Sequence, residues 1–107
     1  MTTITFKNIN YTCKDSPNEF NDLSSTEKSK LLTWISQNLT KIKSINNKHS
    51  SYTLKKLFEK SNQGFYITNG QFKGAMLESK FEIKSKYEQN WYFNISEKSI
   101  KKLKSNQ

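Results

Sequence analysis

FYITNGQFKGAML, residues 65–77, admits two incompatible readings, and the choice between them decides the fold. Asn69-Gly70 between apolar stretches is a β-hairpin signal, because both residues tolerate the positive φ of a type I′ turn. Thr68 and Gln71 also match a capping box, in which the hydroxyl accepts from the Gln71 amide while the Gln71 side chain reaches back. The residues after Gly70 favour the capping box. QFKGAMLESK, 71–80, has no β-branched residue and is rich in good helix formers. Gly74 opposes it by only about 1 kcal/mol relative to alanine. A helix over 69–79 is predicted, with Phe72, Ala75, Met76 and Ser79 inward and Gln71, Lys73, Gly74, Leu77 and Glu78 outward.

Upstream, Ser50 or Ser51 caps a predicted helix over 51–60 with Tyr52, Leu54, Leu57 and Phe58 inside and Lys55, Lys56, Glu59 and Lys60 outside. The connection between the two helices is longer than a tight helix-turn-helix turn and leaves room for a short strand at Phe65-Tyr66-Ile67. Ser24 and Glu27 form another capping box, opening a helix over about 24–43 that carries Leu31, Leu32, Trp34, Ile35, Leu39 and Ile42 and breaks at Asn46-Asn47. TTITFKNINYT, 2–12, reads as a strand, and residues 14–22, with the lone proline, as a loop. Downstream, Phe81, Ile83 and Ser85 alternate with polar residues, as do Trp91, Phe93 and Ile95, which predicts an antiparallel hairpin. Ser96 caps a lysine-rich turn or helix carrying Ile100 and Leu103.

Strand, three helices and hairpin in that order describe an α+β fold of the winged helix-turn-helix type, with the wing at 81–96. The expected organisation is one domain: an N-terminal strand and loop (1–22), a winged-helix-like core (23–96) and a lysine-rich tail (97–107). At 107 residues the chain supports one modest core. Trp34, Phe58, Phe72, Trp91 and Phe93 fall on core-facing positions.

The formal charge of +9 is uneven: residues 1–27 carry two lysines against four acids, and residues 28–107 sixteen lysines against five acids. The first segment is therefore −2 and the body +11, a field that attracts a polyanion or an acidic protein surface. All eighteen basic residues are lysine and twelve residues are asparagine, which matches AT-rich coding. Lysine is a point charge and cannot make the bidentate contact to guanine that arginine makes, so phosphate contact fits better than base readout. The lysines concentrate at 41, 43, 48, 55, 56 and 60 and at 84, 86, 98, 101, 102 and 104.

One cysteine, Cys13, and one histidine, His49, provide neither an internal disulfide nor a structural zinc set, so no metal and no cofactor is expected. Apolar runs of two or three residues leave nothing to span a membrane, and the expected setting is cytoplasmic and reduced. His49 has no triad or metal-ligand partners at suitable spacing and reads as a capping or surface residue. Gly64, Gly70 and Gly74 form no phosphate loop, and the scattered acids make no metal-nuclease cluster. No enzyme motif emerges.

HSSYTLKKLFEKSNQGFYITNGQFKGAMLESKFEI, 49–83, followed by NWYFNIS, 90–96, resembles a family of small proteins encoded by phages, pathogenicity islands and conjugative elements of low-GC Gram-positive bacteria. The resemblance covers about half the chain, and ITNGQFKGAML and NWYFNIS are its specific blocks. The family pattern usually has a glycine after the helix where this chain has Ser79-Lys80. The resemblance implies a mobile-element setting, where some small proteins are anti-CRISPR inhibitors with helix-turn-helix parts; that link is an analogy of setting and fold class.

Two functions are expected from these features. The first is a non-enzymatic accessory protein, monomer or homodimer, that engages nucleic acid or a host or CRISPR nucleoprotein through Lys55, Lys56, Lys73, Lys84 and Lys86. The second is an anti-CRISPR protein that blocks a Cas nuclease by direct contact through Leu77, Tyr66 and Tyr92. On the outward face of the 69–79 helix only Gln71 and Lys73 suit a major groove, and Glu78 would meet phosphates unfavourably.

Overall fold

The computed structural model describes residues 15–105. In order they form a 3-10 helix (Pro17–Asp22), α1 (Ser25–Asn38), β1 (Lys41–Asn46), α2 (Ser51–Lys60), α3 (Asn69–Glu78), β2 (Phe93–Ile95) and α4 (Glu97–Ser105). The fold is α+β, with a two-stranded antiparallel sheet among the described residues. The strand predicted over 2–12, and Cys13, lie outside the described residues.

The 65–77 stretch resolves as a helix start. Thr68 Oγ1 accepts from the Gln71 amide at 3.0 Å, and Gln71 Oε1 accepts from the Thr68 amide at 2.9 Å, completing the capping box. No described glycine has positive φ, so Asn69-Gly70 makes no primed turn. Gly70 and Gly74, four residues apart on one face, serve close approach instead. A Cβ at Gly70 would collide with the Ser16 carbonyl, and one at Gly74 with the Pro17 carbonyl and Phe20 Cβ. The 3-10 helix, expected as loop, lies against that face with Phe20 fully buried. The lone proline sits in its first turn, where a missing N–H costs nothing.

The other end of α3 closes in a Schellman arrangement. The Phe81 amide donates to the Met76 carbonyl at 3.1 Å and the Lys80 amide to the Leu77 carbonyl at 3.0 Å. Lys80 takes φ 69°, the left-handed position that glycine usually fills.

α1 is shorter than predicted. Asn38 Nδ2 donates to the Trp34 carbonyl at 2.8 Å and Leu39 turns extended, so residues 41–46 form β1 instead of a further helical turn. Ile42 continues the helical spacing, but Thr40, Ile42 and Ile45 are β-branched and the chain gains a strand partner in β2.

The predicted hairpin of 81–86 with 91–95 reduces to one bridge, Ile83 opposite Phe93. Phe93–Ile95 pairs instead with β1, Lys41 lying opposite Ile95 and Asn46 opposite Phe93. Asn94 explains the arrangement: its buried side chain accepts from the Glu82 amide at 2.7 Å and donates to the Ile42 carbonyl at 2.9 Å, standing in for ladder bonds on both sides. Phe65-Tyr66-Ile67 forms no strand.

One core joins the 3-10 helix, the four α-helices and β2, while β1 adds no buried residue to it. Trp34 meets Phe58 edge to face at 5.4 Å, Phe58 meets Phe65 at 5.1 Å, and Phe93 lies 6.4 Å from both Phe72 and Trp91. The five aromatics predicted to be core are all buried. The C-terminal segment forms α4 and contributes buried Ile100 and Leu103. No helix among the described residues is long and apolar enough to cross a membrane.

Candidate nucleic-acid interface

The lysines divide into two sets by what surrounds them. On α2 the buried residues are Ser51, Leu54, Lys55, Leu57 and Phe58, so Leu54, Leu57 and Phe58 face inward as predicted, with Ser51 and Lys55 added and Tyr52 excluded. Tyr52, predicted inside, is 48% exposed, and Lys55, predicted outside, is 4% exposed. Lys55 Nζ lies 2.9 Å from Glu59 Oε2, which also accepts from the Ile67 amide at 3.1 Å. Burial alone would raise the Glu59 carboxyl, but the bonds from Lys55 and Ile67 and the charges of Lys55 and Lys56 outweigh it and hold the group below the ordinary 4.5.

Lys73, predicted on the outward face of α3, is fully buried. Its ammonium stands 4.7 Å from the Trp91 ring centroid and 3.4 Å from the Glu88 carbonyl. Gly74 lies under Pro17 and Phe20, and Gln71 is occupied by its capping bond. Leu77, predicted as an exposed anchor, is partly buried against the core. Thus α3 is a central helix: within the face predicted to read a groove, Gly74 lies under Pro17 and Phe20 and Lys73 under Trp91.

The remaining predicted site residues keep some access to solvent. Tyr66 is 75% exposed, and the Lys56 side chain is half exposed, 3.7 Å from Glu59 Oε1. Lys84 is exposed, and Lys86 is half-buried with its ammonium 5.3 Å from the Tyr87 ring. Tyr92 is half-buried, its carbonyl taking the Lys84 amide at 3.0 Å. The predicted site residues therefore do not converge on one surface.

The second set lies on β1 and α4. Lys41 and Lys43 are exposed on β1, and Lys98, Lys101, Lys102 and Lys104 are exposed on α4, whose Ile100 and Leu103 face the core. The two elements are tied together: the Ser96 amide donates to the Thr40 carbonyl at 2.8 Å, and the Thr40 amide to Ser99 Oγ at 3.3 Å. Between the end of α1 and α4 lies a depression of about 390 Å³, lined by Gln37, Asn38, Thr40, Ser96, Lys98, Ser99, Lys102 and Leu103, with no carboxylate among them. Sequence reasoning placed these lysines in a diffuse basic surface. The i, i+4 spacing of Lys98 and Lys102, opposite apolar Ile100 and Leu103, is the signal that groups them.

The one acid of α4 is engaged elsewhere. Glu97 Oε1 accepts from Asn46 Nδ2 at 3.0 Å and lies 2.9 Å from His49 Nε2. The Asn46 bond first, then the His49 bond, lowers its carboxyl from the ordinary 4.5 to about 2. His49 is therefore neither cap nor free surface group: Ser50 caps α2 and His49 pins the end of β1 to α4. Among the described residues, no group of three His, Cys, Asp or Glu side chains is arranged to hold a metal. Comparison of the chain with family models, curated proteins and solved structures gives no match.

Proposed function

We propose that the protein is a non-enzymatic, cytoplasmic accessory protein of a mobile element that holds nucleic acid by its phosphate backbone. The observation that carries this reading is the lysine surface of β1 and α4, where Lys98 and Lys102 line a depression without a carboxylate. Lys41 and Lys43 add exposed charge on β1, the Lys41 ammonium lying 4.9 Å from the Phe81 ring centroid. Point charges on flexible stems suit phosphates, and each neutralised phosphate releases condensed counterions.

The order helix, strand, helix, helix, bridged segment, strand supports a winged helix-turn-helix reading, with β2 lying between β1 and Ile83. The cover over α3 argues against entry of that helix into a major groove, which favours backbone contact over base-edge reading by α3. Titration of labelled duplex DNA at low salt tests the proposal. Binding that weakens steeply with added salt supports it, and no binding at low salt removes it.

The rival reading, an inhibitor that contacts a Cas nuclease directly, is supported by the mobile-element resemblance and by exposed Tyr66. It loses Leu77 as an anchor. Cleavage assays with CRISPR effectors of low-GC Gram-positive hosts test it, and unimpaired cleavage by each counts against it.

A further inference from the structure

Tyr52 and Tyr66 are two of the largest exposed aromatic surfaces among the described residues, at 48% and 75% exposure, and both sit on one buried cation. Lys55 Nζ is 5.2 Å from the Tyr52 ring centroid and 5.0 Å from that of Tyr66. Glu59 holds this ammonium at 2.9 Å and is itself tied to the Ile67 amide. Each ring is therefore held by a fixed charge while much of its surface stays open to solvent, so less freedom is lost when a flat ligand stacks on it.

The rings border a cleft of about 520 Å³ whose wall is polar. Thr68 and Asn69, at the start of α3, line it together with Gln89, Asn90, Asp15 and Glu19. Asn69 is 6% exposed, and its Nδ2, with two hydrogens to donate, lies within reach of three acceptors: Asp15 Oδ2 at 3.2 Å, the Gln89 carbonyl at 3.0 Å and Asn90 Oδ1 at 3.0 Å. Its Oδ1 is buried and has no partner among the described residues. Lys56, 5.3 Å from the Tyr52 ring, supplies a half-exposed cation at the rim.

These features divide a ligand into two parts. Carboxylates in the wall repel a phosphate from the interior, while Lys56 favours one at the edge. Stacking faces beside carboxylate and amide acceptors suit a flat heteroaromatic ring that carries N–H donors on its edge. We infer that this cleft binds an unpaired, amine-bearing nucleobase of a single-stranded nucleic acid, stacked on Tyr66 and Tyr52 with its phosphate at Lys56. A duplex keeps its bases stacked and cannot present one. Adenine and cytosine carry an exocyclic amine that thymine lacks, so the cleft discriminates among strands although α3 is covered. This inference rests on the nucleic-acid reading and adds to its backbone surface a separate site for an unpaired base.

The test is fluorescence anisotropy on the full chain with short labelled oligo(dA), oligo(dT) and a duplex, for the wild type, Tyr66→Ala and Tyr66→Phe. Tyr66 is exposed, so neither substitution threatens folding. The expected result is that oligo(dA) binds more tightly than oligo(dT), and that Tyr66→Ala weakens oligo(dA) by about tenfold or more while the duplex is unaffected. Tyr66→Phe keeps the stacking face and retains affinity. If oligonucleotides bind but Tyr66→Ala matches the wild type on oligo(dA), the base site is wrong and the backbone reading stands. If the wild type binds no oligonucleotide, both fall. Binding of an arginine-rich peptide that depends on Tyr66, without oligo(dA) binding, assigns the cleft to a protein and overturns the inference.

Discussion

Lys55 and Lys102 both stand on lysine-rich amphipathic helices, yet they belong to different chemistry. Lys55 is locked between Glu59 and two tyrosine rings, and nearby Lys73 is packed on Trp91. Lys102, with Lys98, lines an open depression free of carboxylates. The same residue type is part of the fold in α2 and α3 and is offered to solvent in α4. Formal charge therefore overstates the charge available to a partner, and local pairing decides where it is available.

Substituting the enclosed lysines exposes the difference most strongly. Lys73→Ala should cost about 2–4 kcal/mol, because it empties a fully buried site against Trp91, whereas Lys102→Ala should stay within about 0.5 kcal/mol; denaturant unfolding reads both. A comparable loss in the two variants would erase the distinction between the regions. Lys55→Ala should come next, at about 2–3 kcal/mol, because it leaves Glu59 in a mostly buried position without its main cation.

Glu97 gives a pH-dependent contrast on the α4 side. Its folded value of about 2 lies below the ordinary 4.5, so its contribution is present above 4.5 and is lost as pH falls from there toward 2. Thermal melting should show lower midpoints across that acid window in the wild type, with a shallower fall in Glu97→Gln. Parallel profiles would mean that the tie to Asn46 and His49 does not stabilise the fold. Lys80→Gly should give a small gain in stability, about 0.5–1 kcal/mol, because glycine adopts the left-handed helix-stop conformation without the Cβ penalty. A loss of stability there would mean that the Lys80 side chain contributes more than its backbone costs.

Features written in adjacent residues were the legible ones. The Thr68–Gln71 and Ser24–Glu27 capping boxes lie within one turn each, and both formed. The bounds of α2 and most of its inward face were legible too, but the burial of Lys55 was not, because an inward lysine needs a partner and Glu59 at i+4 reads equally well as a surface pair. Lys73 depends on Trp91, eighteen positions on, which no local pattern reveals. The end of α1 was misread because Ile42 satisfies the helical period and its strand partner lies some fifty residues away. The cover over α3 left one trace, the four-residue spacing of Gly70 and Gly74, which reads as a helix weakness until Pro17 and Phe20 are seen against it. At the candidate site, composition revealed the charge, and only the folded chain separates the lysines that are enclosed from those that are open.

The most direct test of this separation is the slope of log affinity against log salt for a DNA duplex, measured for the wild type and for Lys98→Ala/Lys102→Ala. Loss of two phosphate contacts should reduce the slope by about 1.8 while the unfolding midpoint stays unchanged. An unaltered slope in a folded double variant would contradict the account, since the open lysines of α4 would then carry none of the binding.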